Sequence, residues 1–259
     1  MSVAFEIVDH PARGCAALMV GAALGGGNIV LAGGSTPREA YEEFVRAVDA
    51  VGLDLANTTF WLGDERCVEP DDARANYRMI RESLLVPLGD RAAPTVERIH
   101  GELGPEAAAD DYEGRLRAAG PPEFDLVILG IGPDGHTASL FPGQPSLSVR
   151  DRLVVGVPEA GLEPFVPRVS LTLSALAATR QLVVLAAGES KAEAIAAAFG
   201  PQAEPDPRVP ASLLVPEAKL VTVLTDAAAA ARVPGVALRA GGLGPPFDPA
   251  SPEGEQRVG

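Results

Sequence analysis

Six short runs along the chain are almost continuously apolar: Asn28–Ala32, Thr59–Leu62, Leu126–Leu129, Leu153–Val157, Gln181–Ala186 and Leu220–Leu224. Each has the length of a strand and is rich in Val, Ile and Leu. Continuous rather than alternating hydrophobicity suits strands covered on both faces, as in a parallel sheet. Between these runs the period becomes helical. Over Pro37–Val48, Tyr41, Phe44, Val45 and Val48 fall on one side, with Arg38, Glu42, Glu43 and Arg46 largely on the other. Glu189–Phe199, an ESKAEAIAAAF stretch after Gly188, predicts an alanine-rich helix. The repeated strand–helix order predicts an α/β fold with an open, mostly parallel sheet. Such sheets bind ligands beyond the carboxyl ends of their strands, so the loops entering the helices are where chemistry is expected.

Composition sets bounds on this picture. A chain of 259 residues with 47% hydrophobic content can bury one substantial core. Residues 1–236 show no repeat and no long linker and are expected to form one domain. Residues 237–259, crowded with Gly and Pro, are expected to be a disordered tail. The net charge of −14 and the pI near 4.6 argue against a nucleic-acid surface. Acidity still admits an anionic substrate if a few cations are focused in a cleft. The opening MSVAFEIVDHPARG has no basic region leading into an apolar run, and no stretch reaches the ~18 apolar residues of a membrane span. Cys15 and Cys67 form no C-x-x-C and are expected to be free thiols in a reducing compartment. A cytoplasmic protein without nucleic-acid or membrane partners is expected, as a monomer or small homo-oligomer.

Four loops carry candidate chemistry. In VLAGGSTPREAYEEF, Gly33 and Gly34 end a strand, Ser35 or Thr36 can cap a helix, and Pro37 fits its first position. That pattern either just starts a helix well, or offers free N–H groups and a dipole as a phosphate cradle. A nucleotide P-loop sequence is missing, so a phosphorylated small molecule fits better than a nucleoside triphosphate. In FWLGDERCVEPDDARANY, Asp64, Glu65 and Arg66 follow a strand end, where all three would project near the cradle. Arg66 is suited to hold a phosphate or a developing oxyanion.

The third loop, FDLVILGIGPDGHTASLFPG, contains a literal G-x-G-x-x-G at Gly130, Gly132 and Gly135. A dinucleotide site needs these glycines at the first strand–helix turn, with an acid about 20 residues later. Here the motif is mid-chain, Pro133 removes a donor, Asp134 adds negative charge, and Glu159 is poorly placed for a ribose. The glycines instead permit a tight loop that delivers Asp134 and His136 to the strand end. Of His10, His100 and His136, only the last sits in such a loop, where a histidine beside a carboxylate is a natural general base. No metal-binding spacing accompanies it. The fourth feature is a cation near a helix start: Lys191, one of only two lysines with Lys219, stands where the dipole disfavours it unless an anion binds. Arg168, in VPRVSLTL before a strand, is a further candidate.

GGSTP, GDERCV with NY downstream, FDLVILGIGPDGHTASLFPG and the G-x-x-K of Gly188–Lys191 occur in an order that resembles the 6-phosphogluconolactonase family. The resemblance runs from about Phe5 to Ala230. It implies a Rossmann-like three-layer α/β sandwich shared with glucosamine-6-phosphate deaminase and ribose-5-phosphate isomerase. It also implies hydrolysis of 6-phospho-D-glucono-1,5-lactone in the oxidative pentose phosphate pathway, with no cofactor. By motif, His136 corresponds to the base that activates water and Asp134 to its companion, while Arg66 and Lys191 line the substrate site. Arg168 matches an arginine placed to meet phosphate. Gly33, Gly34, Ser35 and Thr36 form the cradle, with Asp64 and Asn76 as substrate contacts. One departure is Ala75 before Asn76–Tyr77, where the family often has Ser. The rivals are an aminosugar-phosphate deaminase/isomerase on the same fold, whose loops resemble D-E-Y and D-G-H-I-A-F-N-E-P, and a non-catalytic sugar-phosphate sensor.

Overall fold

The computed structural model describes residues 2–89, 93–120 and 123–235. The proposed tail at 237–259, and with it the domain boundary at 236, lies outside the described residues. The elements run β1 (Ser2–Ile7), α1 (Pro11–Leu24), β2 (Asn28–Leu31), α2 (Ser35–Val51), β3 (Thr59–Leu62), β4 (Asp64–Arg66) and α3 (Asn76–Ile80). After a π-helical turn at Arg81–Leu85 come α4 (Val86–Leu88), β5 (Thr95–Glu97), α5 (Pro105–Ala118), β6 (Leu126–Leu129), β7 (Val154–Val157) and β8 (Arg168–Leu171). The chain closes through α6 (Leu173–Ala177), β9 (Leu182–Ala186), α7 (Ala192–Phe199), α8 (Leu214–Glu217) and β10 (Leu220–Thr225).

Seven strands pair in parallel in the order β1-β10-β9-β6-β2-β3-β5. Every residue of β6 and β9 is buried. Because successive side chains point to opposite faces, both faces of the sheet centre are therefore covered. From β2 the chain builds outward through β3 and β5. It then returns to lay β6 on the other side of β2 and continues to β9 and β10. The winding reverses between β2 and β6, and their carboxyl-end loops diverge there to leave a crevice. The α/β class and the parallel sheet agree with the sequence. No helix among the described residues is long and apolar enough to cross a membrane.

The Leu153–Val157 run departs from expectation. Its strand, β7, lies in a separate antiparallel sheet, β4-β8-β7, rather than in the parallel one. A short apolar run does not encode its partner, and here that partner is β8, which begins at a charged residue. Helix α2 also starts earlier than expected, at Ser35. Gly34 occupies the capping position and no side chain caps it, because Ser35 and Thr36 are already helical. Pro37 is thus the third helical residue. The predicted Glu189–Phe199 helix is a 3₁₀ turn over Glu189–Lys191 that runs into α7.

Two buried tyrosines fix the strand ends that feed the crevice. The hydroxyl of Tyr41, from α2, donates to the Ala32 carbonyl at 2.8 Å and accepts from the Ala32 N–H at 2.9 Å. Tyr112, from α5, treats Leu62 the same way, at 3.0 and 2.9 Å. Each residue lies just past or at the end of a strand, where the ladder no longer satisfies both backbone groups. Burial pushes both phenols far above their ordinary pKa, so they remain neutral donors.

Candidate active site

A cleft of about 250 Å³ opens at the switch point. Its floor and walls include Gly33, Gly34, Ser35 and Thr36 after β2, Asp64 and Arg66 of β4, Asn76 of α3, His136 and Lys191. The remaining lining is mostly apolar or backbone, with Ile131, Pro133, Ala138 and Leu162 prominent. Nine of the residues singled out in the sequence are thus brought together around one cleft. Asp134 and Arg168 are not among the lining residues; the first stands behind His136 and the second behind a loop.

The loop after β6 is a tight turn that closes on itself. The Gly132 N–H donates to the His136 carbonyl at 2.8 Å, and the Thr137 hydroxyl donates to the Gly130 carbonyl at 2.9 Å. His136 Nδ1 lies 2.5 Å from Asp134 Oδ1, which also accepts from the His136 backbone N–H at 3.2 Å. Occupying Nδ1 with the carboxylate leaves Nε2 as the ring nitrogen free to act. The ring also packs on Phe141, with centroids 4.8 Å apart. Burial raises the Asp134 carboxyl, but the hydrogen bond and charge of His136 outweigh it, and the group sits below its ordinary value. Gly132 is required by close approach: a β-carbon there would collide with both His136 Nδ1 and Asp134 Oδ1.

The opposite wall is a buried polar network. Asp64 accepts from the Ser139 hydroxyl at 2.6 Å through one oxygen and from Asn76 Nδ2 at 3.2 Å through the other. Asn76 Nδ2 also donates to the Asp64 carbonyl at 3.0 Å, and the Ser139 N–H donates to the Ser170 hydroxyl at 3.3 Å. Asp64 therefore joins β4, α3, β8 and the histidine loop, and both its carboxylate oxygens already have partners. Gly33 fits against this wall because a β-carbon there would overlap the Asn76 amide.

Glu65 corrects the expectation that all three charges of GDER face the cradle. Adjacent residues of a strand point oppositely, so β4 presents Asp64 and Arg66 to the cleft and turns Glu65 away. Glu65 instead caps α3, accepting from the N–H groups of Asn76 and Tyr77 at 2.7 Å each, and from that of Arg66 at 2.6 Å. Burial pushes its carboxyl up to about 7 in spite of these three bonds.

Three features bring positive charge to the cleft. Helix α2 points its N-terminus into it. Its first intrahelical bond runs from Arg38 to Gly34, so the preceding N–H groups are not used by the helix. Arg66 reaches the Arg74 carbonyl with one nitrogen, while its Nε is buried without a partner. Lys191, at the N-terminus of α7, donates from Nζ to the Ile131 carbonyl at 2.8 Å. Burial holds its pKa below the ordinary lysine value, with Asp134 acting in the other direction. Arg168 differs: its Nε and NH2 donate to the carbonyls of Val166, Pro164 and Leu162, at 3.1, 2.6 and 3.4 Å.

Among the described residues no three His, Cys, Asp or Glu side chains are grouped to hold a metal ion. The cysteines are free, and burial raises Cys15 to about 12 and Cys67 to about 11. The residues that sequence reasoning missed are those that organise rather than face the cleft: Tyr41 as a strand-end partner, Tyr112, Ser139, Ser170 and Glu65. Ser139 lay inside the quoted histidine stretch, but only the tertiary pairing with Asp64 reveals its use.

Fold and site together define an α/β enzyme with a histidine–carboxylate pair beside a cleft lined by Arg66, Lys191 and the start of α2. The family model described as glucosamine-6-phosphate isomerases/6-phosphogluconolactonase matches residues 12–223. The 6-phosphogluconolactonase of Synechocystis sp. is 37% identical over 206 residues, which cover 77% of this chain and 82% of that one. That of Homo sapiens is 40% identical over 207 residues, covering 77% and 78%. The crystal structure of 6-phosphogluconolactonase from Leishmania guyanensis matches with a TM-score of 0.75 at 28% identity, over 92% of this chain and 100% of that one. The chain belongs to the glucosamine-6-phosphate isomerase/6-phosphogluconolactonase family.

Proposed function

We propose that the chain hydrolyses 6-phospho-D-glucono-1,5-lactone to 6-phospho-D-gluconate, with His136 as general base toward water. The observation that carries this mechanism is the His136–Asp134 pair, 2.5 Å apart, with the free ring nitrogen at a cleft that also holds Lys191, Arg66 and the start of α2. A δ-lactone is an activated ester, so no covalent nucleophile is needed. His136 Nε2 takes a proton as the water oxygen attacks C1. The bond from C1 to the ring oxygen then breaks, and the proton passes to that oxygen. Asp134 holds the ring orientation and stabilises the imidazolium formed in between.

The other roles follow from position. The carbonyl oxygen that becomes negative needs donors, supplied by Arg66 or by backbone N–H groups of the cleft loops. Lys191 and the N-terminus of α2, with Gly33, Gly34, Ser35 and Thr36, hold the phosphate end of the substrate, and Asp64 and Asn76 shape the wall against its ring. A positioned base contributes about 10²–10⁴ in rate and an oxyanion donor about 10²–10³. Remote phosphate binding fixes orientation.

Acid release from freshly made lactone, measured above the spontaneous rate, tests the activity. Release that disappears in His136→Ala is the expected result. Release no faster than the blank, or ammonia production from glucosamine 6-phosphate, would remove the proposal.

A further inference from the structure

Arg168 is a buried arginine whose hydrogen bonds run to backbone oxygens. It opens β8 and stands directly across from Arg66 of β4 in the antiparallel pair. Like charges in that relation repel, and burial adds to the penalty of keeping a guanidinium there. The same two causes, burial first and Arg66 among the charges, push its pKa down to about 10. A residue so placed has to serve some purpose, and its partners indicate which one. Nε and NH2 fork onto three carbonyls, those of Leu162, Pro164 and Val166, in the loop that joins β7 to β8.

That loop reaches the reacting centre at two points. Leu162 is part of the cleft wall. Gly161 lies against the Phe141 ring so closely that a β-carbon would collide with it, and Phe141 in turn packs on His136. Residues 158–165 are nonetheless mostly exposed, with no residue among them buried. Within 162–166 the one other backbone bond is local, from the Val166 N–H to the Pro164 carbonyl at 2.8 Å. Outside this stretch, Gln144 Nε2 donates to the Glu159 carbonyl at 3.0 Å and the Cys67 N–H to the Pro167 carbonyl at 2.8 Å. Among the described residues, the hydrogen bonds that tie 162–166 itself to the rest of the protein come from Arg168.

We propose that Arg168 is a positioning residue, which clamps residues 162–166 of the loop so that Leu162 forms one wall of the lactone cleft, and that it is not a ligand of the substrate phosphate. A guanidinium suits this task because its rigid, planar donors sit on separate nitrogens and can reach carbonyls spread along the loop, whereas a lysine offers its three donors from a single atom. The inference rests on the lactonase activity proposed above, but its physical half, the clamp, has a readout that needs no turnover.

The test joins hydrogen–deuterium exchange of the 160–166 segment, read at the hydrogen-bonded Val166 amide, with initial rates on 6-phosphogluconolactone and on unphosphorylated gluconolactone, for Arg168→Ala and Arg168→Lys. Both variants are expected to exchange this segment faster than wild type, and to lose kcat/KM by on the order of ten- to hundredfold on both lactones alike, as expected for a displaced wall. Unchanged exchange, with a loss confined to the phosphorylated substrate and partly rescued by lysine, would overturn the proposal and make Arg168 a phosphate ligand. Leu162→Ala covers the case in which Arg168 variants do not fold, since it trims the wall and leaves the clamp intact. It should lower kcat/KM on both lactones with normal exchange, and a wild-type rate in Leu162→Ala would equally overturn the proposed wall. A wild-type protein without lactonase activity would remove the parent proposal, while the exchange data would still decide the clamp.

Discussion

His136 and Lys191 face the same cleft but are expected to fail in different ways. His136 takes part only when a proton moves, so His136→Ala should lower kcat by roughly 10²–10⁴ while 6-phosphogluconate still binds. A variant with a near wild-type rate would assign the base elsewhere. Lys191 has two tasks, because its Nζ also donates to Ile131, inside the loop that carries His136. Lys191→Ala should weaken binding of the phosphorylated lactone by tenfold or more, the scale of about 1.5–3 kcal/mol for a charge-assisted bond. A smaller loss should persist on unphosphorylated gluconolactone, since the Ile131 bond disappears with either substrate. Equal losses on the two lactones would remove Lys191 from phosphate binding and leave it as a support of the loop. Competition binding of 6-phosphogluconate beside initial rates separates these outcomes.

At the scale of elements, the histidine loop depends on Gly132, where a methyl group would occupy the space of the His136–Asp134 contact. The obstacle is the far end of two side chains rather than backbone, so Gly132→Ala should fold and displace the base. The expected result is a kcat drop of about 10²-fold or more with a melting temperature within a few degrees of wild type. A full-rate Gly132→Ala would mean that the pair tolerates displacement. This loop was legible in the sequence because its chemistry is local: Gly130, Gly132, Asp134 and His136 meet within seven residues. The start of α2 was legible for the same reason, although Gly34 caps it in place of Ser35 or Thr36. β4 was not, since three charged residues carry no apolar signature, and with the strand unseen the outward turn of Glu65 was unseen too. The edge strands β1 and β5 and the charged start of β8 escaped likewise. Arg168 shows the limit most clearly: its type suggested an anion, and only the fold shows that its donors meet carbonyl oxygens.

On the scale of the whole molecule, stability against pH divides into two windows of opposite sign. Most of the shifted carboxylates are lowered in the folded state: Glu43 by Arg46, Glu102 by Arg98, and Glu113 and Asp111 by arginines whose effect exceeds that of burial. Such groups contribute stability that is present above their unfolded values and lost as pH falls through their folded ones, on the acid side of about 4. Glu65 runs the other way. Burial raises it from 4.5 to about 7, and Asp64 adds to the rise, while the three N–H bonds from Arg66, Asn76 and Tyr77 only reduce it. Between those two values the folded chain holds a proton that the unfolded chain has released, so this group's share of stability declines as pH rises from 4.5 to 7 and is flat beyond. The bonds that Glu65 accepts from the N–H groups of Arg66, Asn76 and Tyr77 order the turn that presents Arg66 and Asn76 to the cleft. Glu65→Gln removes the titration and keeps one acceptor. Urea unfolding of wild type and Glu65→Gln, measured every half unit from pH 4.5 to 8, should therefore give curves that are not parallel. The stability of wild type relative to the variant should fall steadily up to about pH 7 and then level off. Parallel curves would mean that Glu65 keeps an ordinary carboxyl pKa in its buried site, and the acid-side window alone would then govern how this molecule responds to pH.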